Sequence, residues 1–369
     1  MTKVCHMTNV HPMEDIRIFR KECVSLANAG YEVYLVERGE SYEKNGVHIV
    51  GVGDIPADRR RRMTEGAKKV YEAAKQVDAD VYHLHDPELL PYGLKLKKAG
   101  KKVIFDSHED VTADILEKYW IPAPLRRLIS HGYAGYEKRV FSRLDGVIGV
   151  TPSLCDRLKK TNGNMAMITN YPIWEDGLPQ PQFQEKKIVF PGLLSELWNI
   201  EILVQAAERL PGLTVELRSG NVEGDLLSRL QAMPGWKQVN FPGRASHEAV
   251  MRLMTACLCG MALCQPCPNS AGMLGTLGNT KIFEYMMAGI PVICTDFVLW
   301  KGIVDRWHCG ICVKPDDVDA VANAIRYLLD HPDEARRMGE NGRRAVREEF
   351  NWDSEAKKLT AFYAEILKD

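Results

Sequence analysis

A polar, glycine-bearing turn before a predicted helix carries side chains that could bind a phosphate. The turn begins at Gly278, and Asn279 or Thr280 can cap the helix that follows. The free N–H groups of a helix N-terminus attract anions, and Lys281 adds a full positive charge there. Glu284, one turn further, can accept two hydrogen bonds from a vicinal diol such as a ribose. The competing interpretation is a surface helix with an ordinary Lys/Glu pair, so composition alone does not decide.

Histidines and carboxylates also recur at the ends of two predicted strands. His85 follows the apolar run 81–84, and His108 and Glu109 follow the run 102–106. The carboxyl ends of parallel strands meet at one edge of a sheet, where ligands bind. A single histidine there more often has a structural partner, but two such clusters on consecutive strands favour a binding site.

The charge balance argues against a nucleic-acid partner. The formal net charge is −1, so no overall field draws the protein to a polyanion. The run Arg59–Arg62 is a local exception, either a solvated helix start or a contact with an anionic lipid or polyanionic acceptor. The apolar runs are too short for a signal peptide or a bilayer span, which predicts a cytoplasmic protein. A peripheral contact with the inner face of the membrane stays open.

Two Cys-x-x-Cys pairs must be weighed as a metal site. They are Cys264 with Cys267 and Cys309 with Cys312. This is the ligand spacing of zinc, but the two pairs are further apart than in usual zinc folds, and Cys312 falls in a predicted strand. Buried thiols of a reducing compartment are the favoured interpretation. No Asp-x-Asp sequence is placed beside the Lys281 turn either, so no metal is predicted.

Strands and helices that alternate along the first half must position these side chains. This alternation is typical of a parallel sheet built from βαβ units. The predicted elements are strand 3–7, helix 16–29, strands 31–36 and 81–84, helix 89–99, strand 102–106, helix 133–144, strand 146–150, helix 152–160 and strand 165–169.

The alternation restarts after a proline-containing stretch without periodicity. The predicted strands are 188–190, 213–218, 239–241, 257–263 and 292–294, and the predicted helices are 200–210, 226–233, 247–255, 281–288, 318–329 and 332–349. The pattern predicts an α/β protein with two Rossmann-like, doubly wound domains that face a central cleft. The domains would span 1–170 and 188–349 with a linker at 171–187, and the helix within 350–369 would pack back on the first domain.

Several motifs together resemble one enzyme family. The segment 278–293 resembles the signature of the retaining glycosyltransferases of family 4, which have the two-domain GT-B architecture. Further segments resemble that family's motifs in the same order along the chain, namely 83–86, 105–109, 241–248, 309–317, 338–343 and 350–352. The resemblance covers nearly the whole chain.

The resemblance implies a role for each matching residue. His108 would bond a hydroxyl of the transferred sugar, and Lys281 and Arg244 would stabilise the leaving diphosphate. The residues implied to contact the nucleotide donor are Gly192, Arg218, Ser219, Gly220, Asn221, Asn279, Thr280 and Glu284. The residues implied to face the acceptor are Asp15, Arg17, His85 and Glu109.

Two positions depart from the family's pattern. Thr276 stands where relatives often place a glutamate that contacts the sugar, and Trp198 lies where many relatives carry Arg or Lys. Since an indole cannot neutralise a diphosphate, Lys281 and Arg244 would have to supply that charge.

The resemblance implies transfer of a hexosyl unit from a UDP- or GDP-sugar to a hydroxyl of a carbohydrate or lipid-linked acceptor, with retention at the anomeric carbon. Two alternatives stay open. A UDP-sugar 2-epimerase shares the architecture, and a non-catalytic relative could serve as a partner in a polysaccharide assembly complex.

Overall fold

The computed structural model describes residues 1–118, 120–183 and 185–368. The chain folds into two compact units. The N-terminal unit consists of Met1–Asn170 and Trp352–Asp369, and the C-terminal unit consists of Tyr171–Asn351. The predicted linker 171–187 therefore belongs to the C-terminal unit, and its residue Gln184 lies outside the described residues. Within the described residues, no helix has the length and apolar character that a membrane span requires.

The N-terminal unit is built on an eight-stranded sheet with the order β3-β4-β2-β1-β5-β6-β7-β8. Its strands are β1 (Lys3–Met7), β2 (Glu32–Glu37), β3 (Tyr42–Lys44), β4 (Val47–Gly51), β5 (Val81–Leu84), β6 (Lys102–Ser107), β7 (Gly146–Gly149) and β8 (Met165–Met167). All neighbours pair in parallel except β3 and β4. This hairpin was not predicted, although the Asn45-Gly46 dipeptide at its turn is a sequence signal for one. Both residues take the positive φ that a two-residue hairpin turn requires.

Helices cover both faces of this sheet. They are α1 (Val24–Asn28), α2 (Arg59–Arg61), α3 (Ala67–Val77), α4 (Leu90–Lys98), α5 (Val111–Glu117), α6 (Ala123–Phe141) and α7 (Pro152–Lys159). Wider π-helical turns at Ile16–Cys23 and Arg62–Gly66 lead into α1 and α3, and Pro87–Leu89 forms a 3₁₀ turn before α4. The arginine run is thus a helix start, and Asp58 caps it by accepting a hydrogen bond from the Arg61 N–H.

The C-terminal unit contains a six-stranded, fully parallel sheet with the order β11-β10-β9-β12-β13-β14. Its strands are β9 (Lys187–Pro191), β10 (Thr214–Arg218), β11 (Val239–Asn240), β12 (Cys259–Ala262), β13 (Val292–Thr295) and β14 (Gly310–Val313). The central strands β9, β12 and β13 are mostly apolar, as a sheet covered on both faces requires, whereas β10 carries Glu216 and Arg218.

The helices of the C-terminal unit follow the predicted pattern with one addition. They are α8 (Ile200–Glu208), α9 (Leu226–Ala232), α10 (His247–Met254), α11 (Lys281–Ala288), α12 (Val298–Trp307), α13 (Val318–Asp330) and α14 (Pro332–Glu348). Short 3₁₀ turns lie at Glu196–Trp198, Pro234–Gln238, Pro268–Ser270 and Gly272–Leu274. Sequence analysis did not predict α12, whose Val298 is exposed but whose Trp300 is fully buried.

The last helix, α15 (Trp352–Ile366), belongs to the N-terminal unit although the whole C-terminal unit precedes it in sequence. Phe362 and Ile366 pack closely over Gly146 of β7, where an added Cβ would lie 2.5 Å from the Phe362 ring. The Thr169 N–H also donates to the Glu355 carboxylate at 2.7 Å. Because this helix is buried along one face, its side chains reach the interior of the N-terminal unit.

Candidate functional site

The C-terminal unit has a cavity of about 440 Å³ at the carboxyl ends of β9 and β10 and the start of α11. Its lining includes nine residues predicted to contact a donor: Gly192, Arg218, Ser219, Gly220, Asn221, Arg244, Thr280, Lys281 and Glu284. Ligands bind at this position in parallel α/β sheets because the strand ends and helix N-termini converge there. The tertiary structure thus brings together four separate segments.

The N-terminus of α11 is capped by Asn279, the tenth predicted donor residue. Its side-chain oxygen accepts a hydrogen bond from the Lys281 N–H at 3.1 Å. Thr280, the other candidate, makes no side-chain capping bond. The Lys281 side chain then approaches Gly192, where an added Cβ would lie 2.7 Å from its Cε. Gly192 has φ +131°, a backbone conformation that favours glycine, and an added Cβ would displace the end of the Lys281 side chain.

The neutral Trp198 side chain lies against the charged end of Lys281. The Lys281 ammonium lies 4.1 Å from the centroid of the Trp198 ring, and the indole is buried. An aromatic face attracts a cation without neutralising its charge. Burial lowers the pKa of Lys281, while the nearby Glu284 carboxylate acts in the opposite direction. Trp198 therefore positions Lys281 rather than contacting an anion itself, a role that sequence analysis missed.

The other charged residues of this cavity are held by neighbours. The Glu284 carboxylate lies 3.4 Å from His247 Nε2, and His247 also lines the cavity. The Arg218 guanidinium is paired with Glu216 at 2.6 Å, whereas Arg244 packs across Gly220, within 3.1 Å of the position of an added Cβ. His247 lies in the motif 241–248 but was not predicted as a site residue.

Thr276 has a structural role in the loop before α11. Its hydroxyl accepts a hydrogen bond from the Gly278 N–H at 3.0 Å, and its carbonyl accepts one from the Trp300 indole at 2.6 Å. The unpredicted helix α12 thus anchors the loop that leads into the cavity.

The N-terminal unit has a larger cavity of about 730 Å³ at the carboxyl ends of β5 and β6. His85, His108 and Glu109, predicted as site residues, all line it. The remaining lining combines apolar side chains with three basic and three acidic ones. Arg62 is paired with Glu88 and Lys118 with Asp114, and the other two are Arg59 and Asp86. Burial raises the pKa of Glu109.

Asp106, at the end of β6, is the buried anchor of this cavity. Its carboxylate accepts two hydrogen bonds from the Arg17 guanidinium, at 2.8 and 2.9 Å, and lies 2.9 Å from His108 Nε2. Burial by itself would raise the pKa of Asp106, but the Arg17 charge and the histidine hydrogen bonds hold it well below its usual value. The carboxylate is therefore ionised and orients His108.

Asp15 and Arg17 lie next to the cavity without lining it, as far as the described residues show. Asp15 caps the following helical turns by accepting hydrogen bonds from the Arg17 and Ile18 N–H groups. Arg17 is 5% exposed and points to Asp106 rather than to solvent. Between them and the cavity lies His11, 3.6 Å from Asp15 and 3.4 Å from Asp86.

Beneath His108, buried polar side chains form what we call the histidine cluster, which consists of His6, Glu22, His83 and His85. Their ligand atoms lie within 4.8 Å of one another, a spacing that could hold a metal ion, as could that of His85, Asp106 and His108. Sequence analysis missed His6 and Glu22 entirely. Both are ionisable residues at positions that the periodicity of β1 or of the helical turns Ile16–Cys23 assigns to the core, and this was the signal that could have found them.

The cysteine pairs are separated from this chemistry. Within the described part of the chain, neither pair joins a group of three or more metal-ligating side chains. Cys312 Sγ instead lies 3.8 Å from Cys294 Sγ on the neighbouring strand.

Two family models match the chain, one in each half. Residues 20–170 match Glycosyltransferase Family 4, and residues 179–345 match Glycosyl transferases group 1. The matched ranges contain the strand ends that line the two cavities.

Individual relatives whose names state an activity share less than a quarter of their aligned residues with this chain. The D-rhamnosyltransferase WbpZ of Pseudomonas aeruginosa is 22% identical over 77% of this chain and 72% of its own length. The MMP alpha-(1->4)-mannosyltransferase of Mycolicibacterium hassiacum is 24% identical over 80% of this chain and 72% of its own. The structure of a sucrose-phosphate synthase from Thermosynechococcus elongatus has a TM-score of 0.78 at 18% identity, with 100% of both chains covered. The two units, their cavities and these matches lead to one conclusion: the chain is a glycosyltransferase of family 4 with the GT-B fold.

Proposed function

We propose that the protein transfers a hexosyl unit from a UDP- or GDP-sugar to a hydroxyl of a carbohydrate or lipid-linked acceptor, with retention at the anomeric carbon. The observation that carries this proposal is the convergence of Lys281, Glu284 and Arg244 on one cavity of about 440 Å³. A cation at a capped helix N-terminus suits a diphosphate, and a carboxylate one turn away suits a ribose diol.

The relatives favour one class of donor sugar. One transfers D-rhamnose and the other transfers mannose, as their names state. D-Rhamnose is 6-deoxy-D-mannose, so the two sugars share their ring configuration. We propose a manno-configured sugar as the first donor to test, on either nucleotide.

The leaving diphosphate would be stabilised by charge rather than by a nucleophile. Lys281 and the free N–H groups of α11 would meet its developing negative charge, and Arg244 would add a second cation from β11's carboxyl end. Preorganised charge of this kind is usually the largest catalytic contribution. The diphosphate oxygen could then accept the acceptor's proton on the same face of the sugar, which leads to retention.

The acceptor side favours a partly apolar ligand. The cavity of the N-terminal unit combines apolar walls with Arg59, Arg62 and Lys118, of which Arg62 and Lys118 are paired with Glu88 and Asp114. Near Lys118, exposed apolar side chains continue over the surface, among them Trp120 at 62% and Leu128 at 69% exposure. A lipid-linked acceptor at an anionic membrane surface would match this combination.

Calorimetry with UDP, GDP and their sugars tests the donor site. Glu284→Ala should weaken binding of the matching nucleotide by roughly 2 kcal/mol, because the diol loses charge-assisted hydrogen bonds. Glu248→Ala, on the exposed face of α10, is the matched control. Unchanged affinity in Glu284→Ala would refute this assignment.

Product analysis separates transfer from the alternatives. NMR of the product of a manno-configured donor should show transfer with the donor's anomeric configuration. Acceptor-independent conversion of a UDP-sugar to its 2-epimer would identify an epimerase instead. Nucleotide binding without turnover, for every donor and acceptor tried, would favour the non-catalytic partner.

A further inference from the structure

A line of hydrogen-bonded side chains runs from the cavity of the N-terminal unit into its core. His108 Nε2 lies 3.1 Å from His85 Nδ1, and His85 Nε2 lies 2.9 Å from His6 Nδ1. The line continues from His6 Nε2 to the Tyr363 hydroxyl at 3.3 Å and from that hydroxyl to His83 Nδ1 at 2.7 Å. Five side chains, four from β1, β5, β6 or their ends and one from α15, are thus joined in single file.

The direction of these hydrogen bonds follows from counting protons. A neutral imidazole has one N–H, so it donates from one nitrogen and accepts at the other. Burial lowers the pKa of His6, His83 and His85, which keeps all three rings neutral. In a single file of neutral rings, the proton position on one ring then determines the position on every other.

Asp106 sets that direction. Its ionised carboxylate is 2.9 Å from His108 Nε2, and this nitrogen must carry a proton because two lone pairs would repel each other. The same N–H also faces His85 Nδ1, 3.1 Å away, and His85 Nδ1 lies 3.5 Å from the carboxylate. Because two N–H groups at that distance would repel each other, His85 Nδ1 carries no proton. His85 therefore donates to His6, and His6 donates to the Tyr363 oxygen. The Tyr363 O–H is left to donate to His83. This order leaves His108 Nδ1 without a proton, as an acceptor for a hydroxyl in the cavity.

We propose that Tyr363 of the C-terminal helix is a positioning residue for His108. Its hydroxyl, through His6 and His85, keeps His108 in the Nε2–H form, with Nδ1 available to a sugar hydroxyl. The role of His108 rests on the proposed function, whereas the proton order does not. Without this hydroxyl, two buried ring nitrogens lose their partners, and the inner rings are free to change tautomer.

A metal ion in the histidine cluster is the competing explanation. Glu22 supports it, since neither carboxylate oxygen has a hydrogen bond and three histidine nitrogens lie 3.9–4.0 Å away. Against it, the Arg17 guanidinium is 3.1 Å from Glu22 and would repel a second cation. The histidine nitrogens nearest to Glu22 also already face partners within the line.

Nitrogen-15 NMR of histidine-labelled protein tests the proton order without any assay of activity. Long-range proton–nitrogen spectra should show the Nε2–H tautomer for His6, His83, His85 and His108. An Nδ1–H tautomer for His6 or His85 would overturn the proposal. So would stoichiometric divalent metal in the purified protein that is lost in His83→Ala, as measured by plasma mass spectrometry.

Tyr363→Phe tests the positioning role. The rate constant kcat should fall by about three- to tenfold, the worth of one hydrogen bond, with a smaller change in the donor KM. The His6 and His85 nitrogen signals should shift in the same variant. Tyr31→Phe is the matched control, because its ring packs against the Tyr363 ring at 5.7 Å outside the hydrogen-bonded line.

The outcomes are distinguishable. Wild-type kcat and unchanged histidine signals in Tyr363→Phe would overturn the positioning role. If Tyr363→Phe does not fold, the wild-type tautomers alone decide the proton order. Absence of any transfer by wild-type protein, together with the expected tautomers, would refute the proposed function and leave the proton order standing.

Discussion

The two units share an architecture but build their cavities in different ways. In the C-terminal unit, the cavity is lined by a helix N-terminus, glycines and partly exposed cations. In the N-terminal unit, it rests on ionised and histidine side chains that are buried in the core. The first arrangement takes its preference for anions from a helix N-terminus and from the cations Lys281, Arg218 and Arg244, whereas the second depends on long-range contacts between buried side chains. Sites of the second kind should be more sensitive to loss of one charge and to pH.

The largest expected effect is the loss of stability when the arginine of a buried ion pair is replaced, and this loss should differ between the two units. Arg17→Met leaves the Asp106 and Glu22 carboxylates buried without their counter-charge, so the N-terminal unit should lose about 3–5 kcal/mol of stability. Arg218→Met breaks the pair with Glu216, which is also largely buried, but the Glu216 carboxylate keeps a hydrogen bond from Asn240. The C-terminal unit should therefore lose less, about 2 kcal/mol. Urea unfolding followed by hydrogen exchange of each unit measures both. Equal losses would contradict the comparison.

A second effect is loss of stability of the N-terminal unit in acid. Burial lowers the pKa of His85 from 6.5 to about 4 and that of His6 and His83 well below 6.5. Between pH 6.5 and about 4, the unfolded chain therefore binds protons that the folded unit excludes, and stability falls as pH falls. His85 alone accounts for about 3 kcal/mol at about 1.4 kcal/mol per pKa unit.

Glu22 opposes this trend. Burial and the Asp106 charge raise its pKa, so the folded state gains relative stability as pH falls through that raised value. Burial likewise raises the pKa of Glu37 to about 7 and raises the pKa of Glu109 and Glu137, so these carboxyl groups reduce the loss. We expect a net loss because three fully buried histidines exclude protons. The histidines of the C-terminal unit, His247, His308 and His331, are exposed. Hydrogen exchange at pH 7 and pH 5, corrected for intrinsic rates, should show a loss of protection mainly in the N-terminal sheet, and an equal loss in both sheets would contradict this.

The smallest effect concerns the cation–aromatic contact of the C-terminal cavity. Trp198→Phe should weaken nucleotide binding by about 1 kcal/mol, because a phenyl ring attracts the Lys281 ammonium less strongly than an indole does. Calorimetry against the matching nucleotide measures this difference. Trp236→Phe, which changes an indole of the same unit that does not line the cavity, should bind like the wild type. An unaltered affinity in Trp198→Phe would show that the contact does not position Lys281.

Sequence analysis predicted most strands and helices, and the structure confirms their order. Apolar runs and helical periodicity are local signals, so β1, β5, α7 and α11 lie where they were predicted. Thr151 and Ser246 cap α7 and α10, and each accepts a hydrogen bond from the N–H three residues on. The missed elements are the β3–β4 hairpin, α3, α5 and α12. These elements are short or carry charged residues along much of their length, and tertiary contacts stabilise them.

The sequence by itself determined the fold class and the family resemblance, and it predicted the donor-side residues around Lys281 and Glu284. All of these rest on residues close together in the chain or on motifs in a fixed order. Only the tertiary structure decided that Trp198 holds Lys281, that Arg17 points to Asp106 and that Tyr363 reaches His6. Those partners are 83, 89 and 357 positions apart, and such pairs leave no periodic or spacing signal in one sequence. The physical reason is that parallel sheets bring distant strand ends together, so their side-chain chemistry appears only after folding.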